Sequence, residues 1–280
     1  MAGNAMVSIA GNRFRSILQF CLLSFGLSWT WWTLRLFPYW KESLIAGTPL
    51  DRAALSLLDV TPGIFGPLIA AFVMRWISRE GGLPRPLGLN RHWKQYLLSV
   101  TVPVLALMFA ITLYPLFGAE SFTWAGNDPT QVVSSLVPIT LLATLTALGE
   151  EFGWRGYLLP LLLPLGKTKA SWIVGALWGM WHLPIVLSGL TYPGQPVFLA
   201  VMAFLPSVIL LSFWFTALFI RSRGSVALAG LSHGTLNALS EISSPRHFTG
   251  LNPMFANPFG LVIAPLVFMI TIVIGFFLQD

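Results

Sequence analysis

The alternation of apolar and polar positions divides this chain into long apolar stretches separated by short polar connections. Six stretches, 16–37, 60–77, 96–117, 170–188, 197–220 and 259–278, are near the roughly 20 residues a helix needs to cross a bilayer. Two more are interrupted. The first is apolar from Val132 to Leu148, meets Glu150 and Glu151, and resumes to Leu165; the second, 225–239, is short, rich in small residues and carries His233 and Asn237. The pattern predicts an all-α, polytopic integral membrane bundle of about eight transmembrane helices.

Composition agrees with that reading. Of 280 residues, 55% are hydrophobic and 9% charged, with a mean hydropathy of +0.75, whereas soluble domains carry about 25% charged residues. Twelve Trp and 21 Phe are too many for a solvated, disordered chain. Apolar segments run from end to end, so residues 1–280 read as a single membrane domain. Cys21, the one cysteine, excludes a disulfide within the chain.

The net charge of +6 invites a nucleic-acid reading until the basic residues are sorted by loop. With the N-terminus cytoplasmic, Arg13, Arg15, Arg75, Arg79, Arg85, Arg91, Lys94, Lys167, Lys169, Arg221 and Arg223 share the cytoplasmic side. Lys41, Arg52 and Arg246 fall outside, and Arg35 and Arg155 lie in or at the edge of spans. That bias places both termini in the cytoplasm and removes the case for nucleic acid as a partner. Arg13 and Arg15 precede a first span with no small-x-small cleavage site, which reads as an uncleaved signal anchor. Residues 81–88, with two prolines, form a loop whose basic flanks Arg79 and Arg91 suit acidic lipid headgroups, and 192–196 is a second turn-rich break.

The polar residues inside the spans carry the candidate chemistry. Glu150, Glu151 and Arg155 together cost roughly 7–10 kcal/mol at the bilayer centre before pairing. Glu151 and Arg155 stand at i and i+4 with the acid N-terminal, the favourable helical order. Glu150 points about 100° away around the helix, so it is the carboxylate left over. Taken alone, the triplet could be an interfacial anchor. Gly149 and Gly153 flank it at a spacing that admits another helix closely. His182 lies deep in an apolar span, two residues before Pro184, which cannot donate to the helix ladder; alone it could be a packing residue. His233 and Asn237 share one helix face and could be interhelical glue. Glu241 continues that stripe near the outer end and reads as solvated. Taking Leu159, Ala170 and Ser225 as cytoplasmic helix ends, the rise of about 1.5 Å per residue puts all four polar side chains ~12–18 Å deep. The cytoplasmic mouth is then expected to be the nearer one, rimmed by 166–169 and 221–224.

In order along the chain stand Glu-Glu-x-x-x-Arg at 150–155, an aromatic-x-x-x-His at 178–182 and His-x-x-x-Asn at 233–237. Together they resemble the three motifs of the CAAX protease and bacteriocin-processing family, also called CPBP or Abi proteins, which includes the type II CAAX prenyl endopeptidases. The resemblance covers 132–239, the motif-bearing core. Trp178 departs from it, since the family more often has Phe there; the change reads as conservative.

The resemblance implies an eight-helix intramembrane endopeptidase acting on membrane-associated or lipid-modified peptides. Glu150 and His233 would deprotonate the attacking water, His182 and Asn237 would donate to the oxyanion, and Glu151 with Arg155 would support them. A catalytic zinc needs three ligands; two His and a Glu could supply them, but there is no His-Glu-x-x-His pair, so a metal-free, cofactor-free, glutamate-dependent site is expected. The expected location is the bacterial cell (inner) membrane, with a site reached from the cytoplasm and with lipids and a peptide as partners. The competing class is a non-catalytic membrane protein, such as a transporter, scaffold or bacteriocin-immunity factor, but no inverted repeat is visible. An enzyme of isoprenoid diphosphates would need clustered Asp for Mg²⁺, and Asp51, Asp59, Asp128 and Asp280 do not cluster.

Overall fold

A computed structural model describes residues 2–41, 57–78, 93–117, 123–124, 128–244 and 248–275. The 81–88 loop lies outside them. The chain is an all-α membrane bundle with its polarity inverted relative to a soluble protein. Large apolar side chains such as Phe14, Leu22, Trp76, Leu105 and Phe198 face outward, while Glu150, Glu151, Arg155 and His233 are buried. Lipid is the solvent that tolerates this arrangement.

The helices are α1 (Ala2–Lys41), α2 (Leu57–Ile64), α3 (Gly66–Ile77), α4 (Trp93–Leu113), α5 (Pro129–Gly153), α6 (Leu159–Leu162), α7 (Lys167–Trp181), α8 (Leu183–Leu187), α9 (Val197–Arg221), α10 (Val226–Ile242), α11 (Pro253–Ala256) and α12 (Ile263–Val273). Among the described residues, five stretches are long and apolar enough to cross a membrane: Asn12–Pro38, Asp59–Ile77, Trp93–Leu116, Ser134–Leu165 and Val197–Arg221. The other three apolar stretches of the sequence contain α7 with α8, α10 and α12, which are shorter. A two-residue antiparallel ladder, β1 (Thr123–Trp124) with β2 (Phe248–Thr249), joins two connections.

Prolines break helices, and side chains repair the breaks. Pro67 has no N–H to give the carbonyl four residues back, and the Gly63 carbonyl instead accepts from Ser28 Oγ of α1 at 2.7 Å. Trp31 and Trp32 donate to the carbonyls of Asp59 and Val60 at 3.1 and 2.9 Å, and Arg35 Nε donates to the Asp59 carboxylate at 2.8 Å. These bonds fasten α1 to α2.

Small residues set the close helix approaches around the site. A Cβ on Gly153 would lie 2.4 Å from Pro67 Cβ, and one on Gly149 2.7 Å from the Phe65 ring, so this pair does admit the α2–α3 segment, as its spacing predicted. A second pair, Gly230 and Gly234, brings α10 onto α5. A Cβ on Gly234 would sit 2.5 Å from the Thr144 backbone, and one on Gly230 2.6 Å from Leu148.

Candidate active site

The two glutamates end α5 and lead directly into a π-helical turn, Trp154–Leu158, in which the Leu159 amide reaches back to the Trp154 carbonyl. Such widened turns occur often at functional sites. Arg155 NH1 donates to Glu151 Oε1 at 2.9 Å, the pairing expected from their spacing. The guanidinium also lies against two rings, its Cζ 4.8 Å from the centre of Trp178 and 4.6 Å from that of Phe215, where cation–π attraction is strengthened by exclusion of water.

The same Glu151 oxygen takes a second bond that sequence spacing did not indicate. His233 Nδ1 lies 2.9 Å from Glu151 Oε1. The carboxylate accepts, so Nδ1 carries the hydrogen and Nε2 is the ring nitrogen left for other chemistry. Glu151, Arg155 and His233 form one buried charged network across α5 and α10.

Glu150 faces elsewhere. Trp178 Nε1 of α7 donates to its Oε2 at 2.7 Å. Trp178 is therefore not a conservative stand-in for Phe, because a phenyl ring has no donor for this bond. His182 closes α7, and both its backbone N and its Nδ1 turn back on the Trp178 carbonyl, at 3.3 and 3.0 Å. A carbonyl only accepts, so Nδ1 donates and, in the neutral ring, Nε2 presents a lone pair. That nitrogen lies 3.9 Å from Glu150 Oε2. This is too long for a direct hydrogen bond and suits a bridging water. The helix is open at this point: Ile185 N bonds the His182 carbonyl at 2.9 Å, and the Trp181 carbonyl accepts instead from Trp29 Nε1 at 2.9 Å.

Glu150, His182, His233 and Asn237 line one cavity of about 200 Å³, together with Phe204, Phe259, Ile64 and Ile185. All four expected catalytic residues thus meet, while Glu151 and Arg155 stand behind the wall. Leu190, Thr191, Ser240 and Asn257 complete the lining; none of these was singled out in the sequence. Asn257 Nδ2 donates to Ser240 Oγ at 2.8 Å, and Tyr192 Oη to the Phe259 carbonyl at 2.5 Å. Glu241 is half-buried and has an interaction within the protein.

The expected rim is not where the cavity lies. No residue of 166–169 or 221–224 lines it. The depth argument counted from one set of helix ends only. From the other set, His182 is five residues from the end of α8 at Leu187, and Asn237 five from the end of α10 at Ile242. Those ends are the nearer ones.

Among the described residues, no three His, Cys, Asp or Glu side chains are grouped to hold a metal ion.

Comparison with known proteins extends the resemblance beyond the three motifs. Residues 132–239 match the family model described as type II CAAX prenyl endopeptidase Rce1-like. The motif-bearing core is thus similar to the type II CAAX prenyl endopeptidases. A CAAX prenyl protease 2 of Methanococcus maripaludis is 26% identical over 202 residues, covering 68% of this chain and 74% of the relative.

Proposed function

We propose that the protein is an intramembrane, glutamate-dependent endopeptidase that hydrolyses peptide bonds of membrane-associated or lipid-modified polypeptides. The observation that carries this reading is the pair of acceptors, Glu150 Oε2 and His182 Nε2, 3.9 Å apart in a cavity also lined by His233 and Asn237. A water between two acceptors directs both O–H bonds at bases and its lone pairs into the cavity, which is the posture of a nucleophile.

The division of labour follows from the hydrogen bonds. As the water attacks the scissile carbonyl, its proton passes to Glu150, which Trp178 holds in place. The oxyanion then faces Asn237, whose amide donates in any protonation state, and His233, whose Nε2 donates once the ring is protonated against Glu151. Glu150 returns its proton to the leaving amine. In this scheme His182 serves the water and His233 the oxyanion, the reverse of the roles the resemblance implied. The 3.9 Å separation of His182 Nε2 from Glu150 Oε2 is the reason, because it puts His182 at the water. Oxyanion donors in a dry site each contribute ~2.7–4 kcal/mol to transition-state stabilisation. The name of the archaeal relative supports lipid-modified polypeptides as the substrate class.

The test is purified protein in nanodiscs with a library of lipidated and unlipidated peptides read by mass spectrometry. The expected result is cleavage that disappears in Glu150→Gln. Cleavage that persists undiminished in that variant sinks the mechanism.

A further inference from the structure

Bonds across the bundle sort the connections onto two faces without reference to any membrane. On one face, Arg35 of α1 pairs with Asp59 of α2, Thr123 pairs with Thr249, Tyr114 Oη donates to the Gly250 carbonyl at 3.1 Å, and Tyr192 joins Phe259. This face collects the start of α2, the end of α4, the end of α8, the end of α10 and the start of α12. On the opposite face Arg221 NH1 donates to the Ile274 carbonyl at 3.3 Å, joining the end of α9 to the end of α12. The α6–α7 connection belongs to that second face, one span away from the end of α8.

The cavity belongs to the first face. Its floor, Glu150 and His233, is near mid-span: Glu150 is sixteen residues from Ser134 and fifteen from Leu165, and His233 is seven from Val226 and nine from Ile242. Its walls climb in one direction only. Phe204 is seven residues from the start of α9 and seventeen from its end, and Leu190, Thr191 and Asn257 lie beyond helix ends on the first face. Burial follows the same gradient. Arg155 and Glu151 are fully buried and His233 nearly so, while Asn237, Ser240 and Thr191 are partly exposed. Toward the second face the site is sealed by Trp154, Leu158, Leu159 and Phe215, all fully buried.

The sequence charges the two faces differently. Among the described residues, Arg13, Arg15, Arg75, Lys94, Lys167, Lys169, Arg221 and Arg223 fall with the second face and Lys41 with the first. Basic connections stay cytoplasmic. We infer that the site takes its substrate from the membrane face opposite the basic loops, the non-cytoplasmic face. Its mouth, lined among the described residues by the uncharged polar side chains of Thr191, Ser240, Asn257 and Asn237, fits an extended polypeptide segment that hydrogen-bonds through its backbone.

The inference rests on the peptidase reading only for what enters the mouth, so its test is separate from catalysis. Single cysteines in the full chain with Cys21→Ser, expressed in intact cells, are treated with a charged, impermeant methanethiosulfonate. Thr191→Cys and Ser240→Cys should each be modified in intact cells, and Thr168→Cys, on an exposed site of the basic face, only after permeabilisation. Gel filtration of each variant confirms folding, and the two mouth positions guard against failure of one. Modification of the mouth cysteines only after permeabilisation overturns the inference. So does modification of Thr168→Cys in intact cells, or a mouth that never reacts while Thr168→Cys does. None of these outcomes depends on whether a peptide is cut.

Discussion

Trp178 donates its indole N–H to Glu150 Oε2 at 2.7 Å, and the same residue's carbonyl orients His182 through Nδ1 at 3.0 Å. One residue thus places both groups that face each other across the cavity, by its side chain and by its backbone. Its ring further packs on Arg155 and on the His233 ring, 5.2 Å between centroids.

Trp178→Phe separates the side-chain bond from the packing. A hydrogen bond to a charged group contributes about 1.5–3 kcal/mol, so kcat should fall roughly 10- to 100-fold while KM and Tm change little. Steady-state kinetics and a thermal melt check this. An unchanged kcat would show that Glu150 needs no holder.

The two glutamates should fail differently. Glu150→Gln keeps an acceptor for Trp178 and loses the base, so activity should drop at least about 100-fold with near-normal stability. Glu151→Gln strands the buried guanidinium of Arg155 and unlocks His233, so the fold itself should lose about 3–5 kcal/mol. Thermal unfolding in detergent alongside peptide cleavage distinguishes them.

Arg155→Lys should not rescue. Lysine keeps the charge but lacks the delocalised guanidinium that packs 4.8 and 4.6 Å from the Trp178 and Phe215 ring centres. The expected outcome is a lower Tm despite unchanged net charge; a melt equal to the parent would refute the cation–π argument.

Gly234→Ala should push α10 from α5. The added methyl meets Thr144 backbone at 2.5 Å, and backbone cannot rotate aside, so about 1–3 kcal/mol of overpacking is expected. Since His233 and Asn237 ride on α10, cleavage should fall more than stability does. Gly166→Ala, with nothing near its Cβ but a φ of +93°, should affect stability alone.

Removal of metals should leave cleavage intact. With no three-ligand group among the described residues, exhaustive dialysis against a chelator is expected to preserve activity. Loss of activity restored only by Zn²⁺ would recast Glu150, His182 and His233 as ligands.

Much of this architecture was legible before any coordinates, for identifiable reasons. Continuous apolar runs mark the spans because lipid imposes length and composition on them. The Glu151–Arg155 pair was visible because both partners lie one helical turn apart, and the break at His182 because Pro184 announces it. What stayed hidden depends on distant partners. Glu151 and His233 are 82 positions apart, and Trp178 and Glu150 28; nothing local connects them. The π-turn at Trp154–Leu158 has no apolar or proline signature. The expected rim was misplaced because depth was counted from one set of helix ends only; His182 and Asn237 each lie five residues from the other set, at Leu187 and Ile242.

The arrangement of charges on Glu151 also bears on how the protein is made. Arg155 is four residues away and neutralises Glu151 within a single helical turn, so only Glu150 of the two adjacent acids enters the bilayer without a partner in its own segment. His233 is synthesised 82 residues later and finds an acid already docked in lipid. The network cannot close before α10 has been made and its glycine face packed on α5. Assembly of the reactive cavity is thereby delayed until nearly the whole chain is in the membrane.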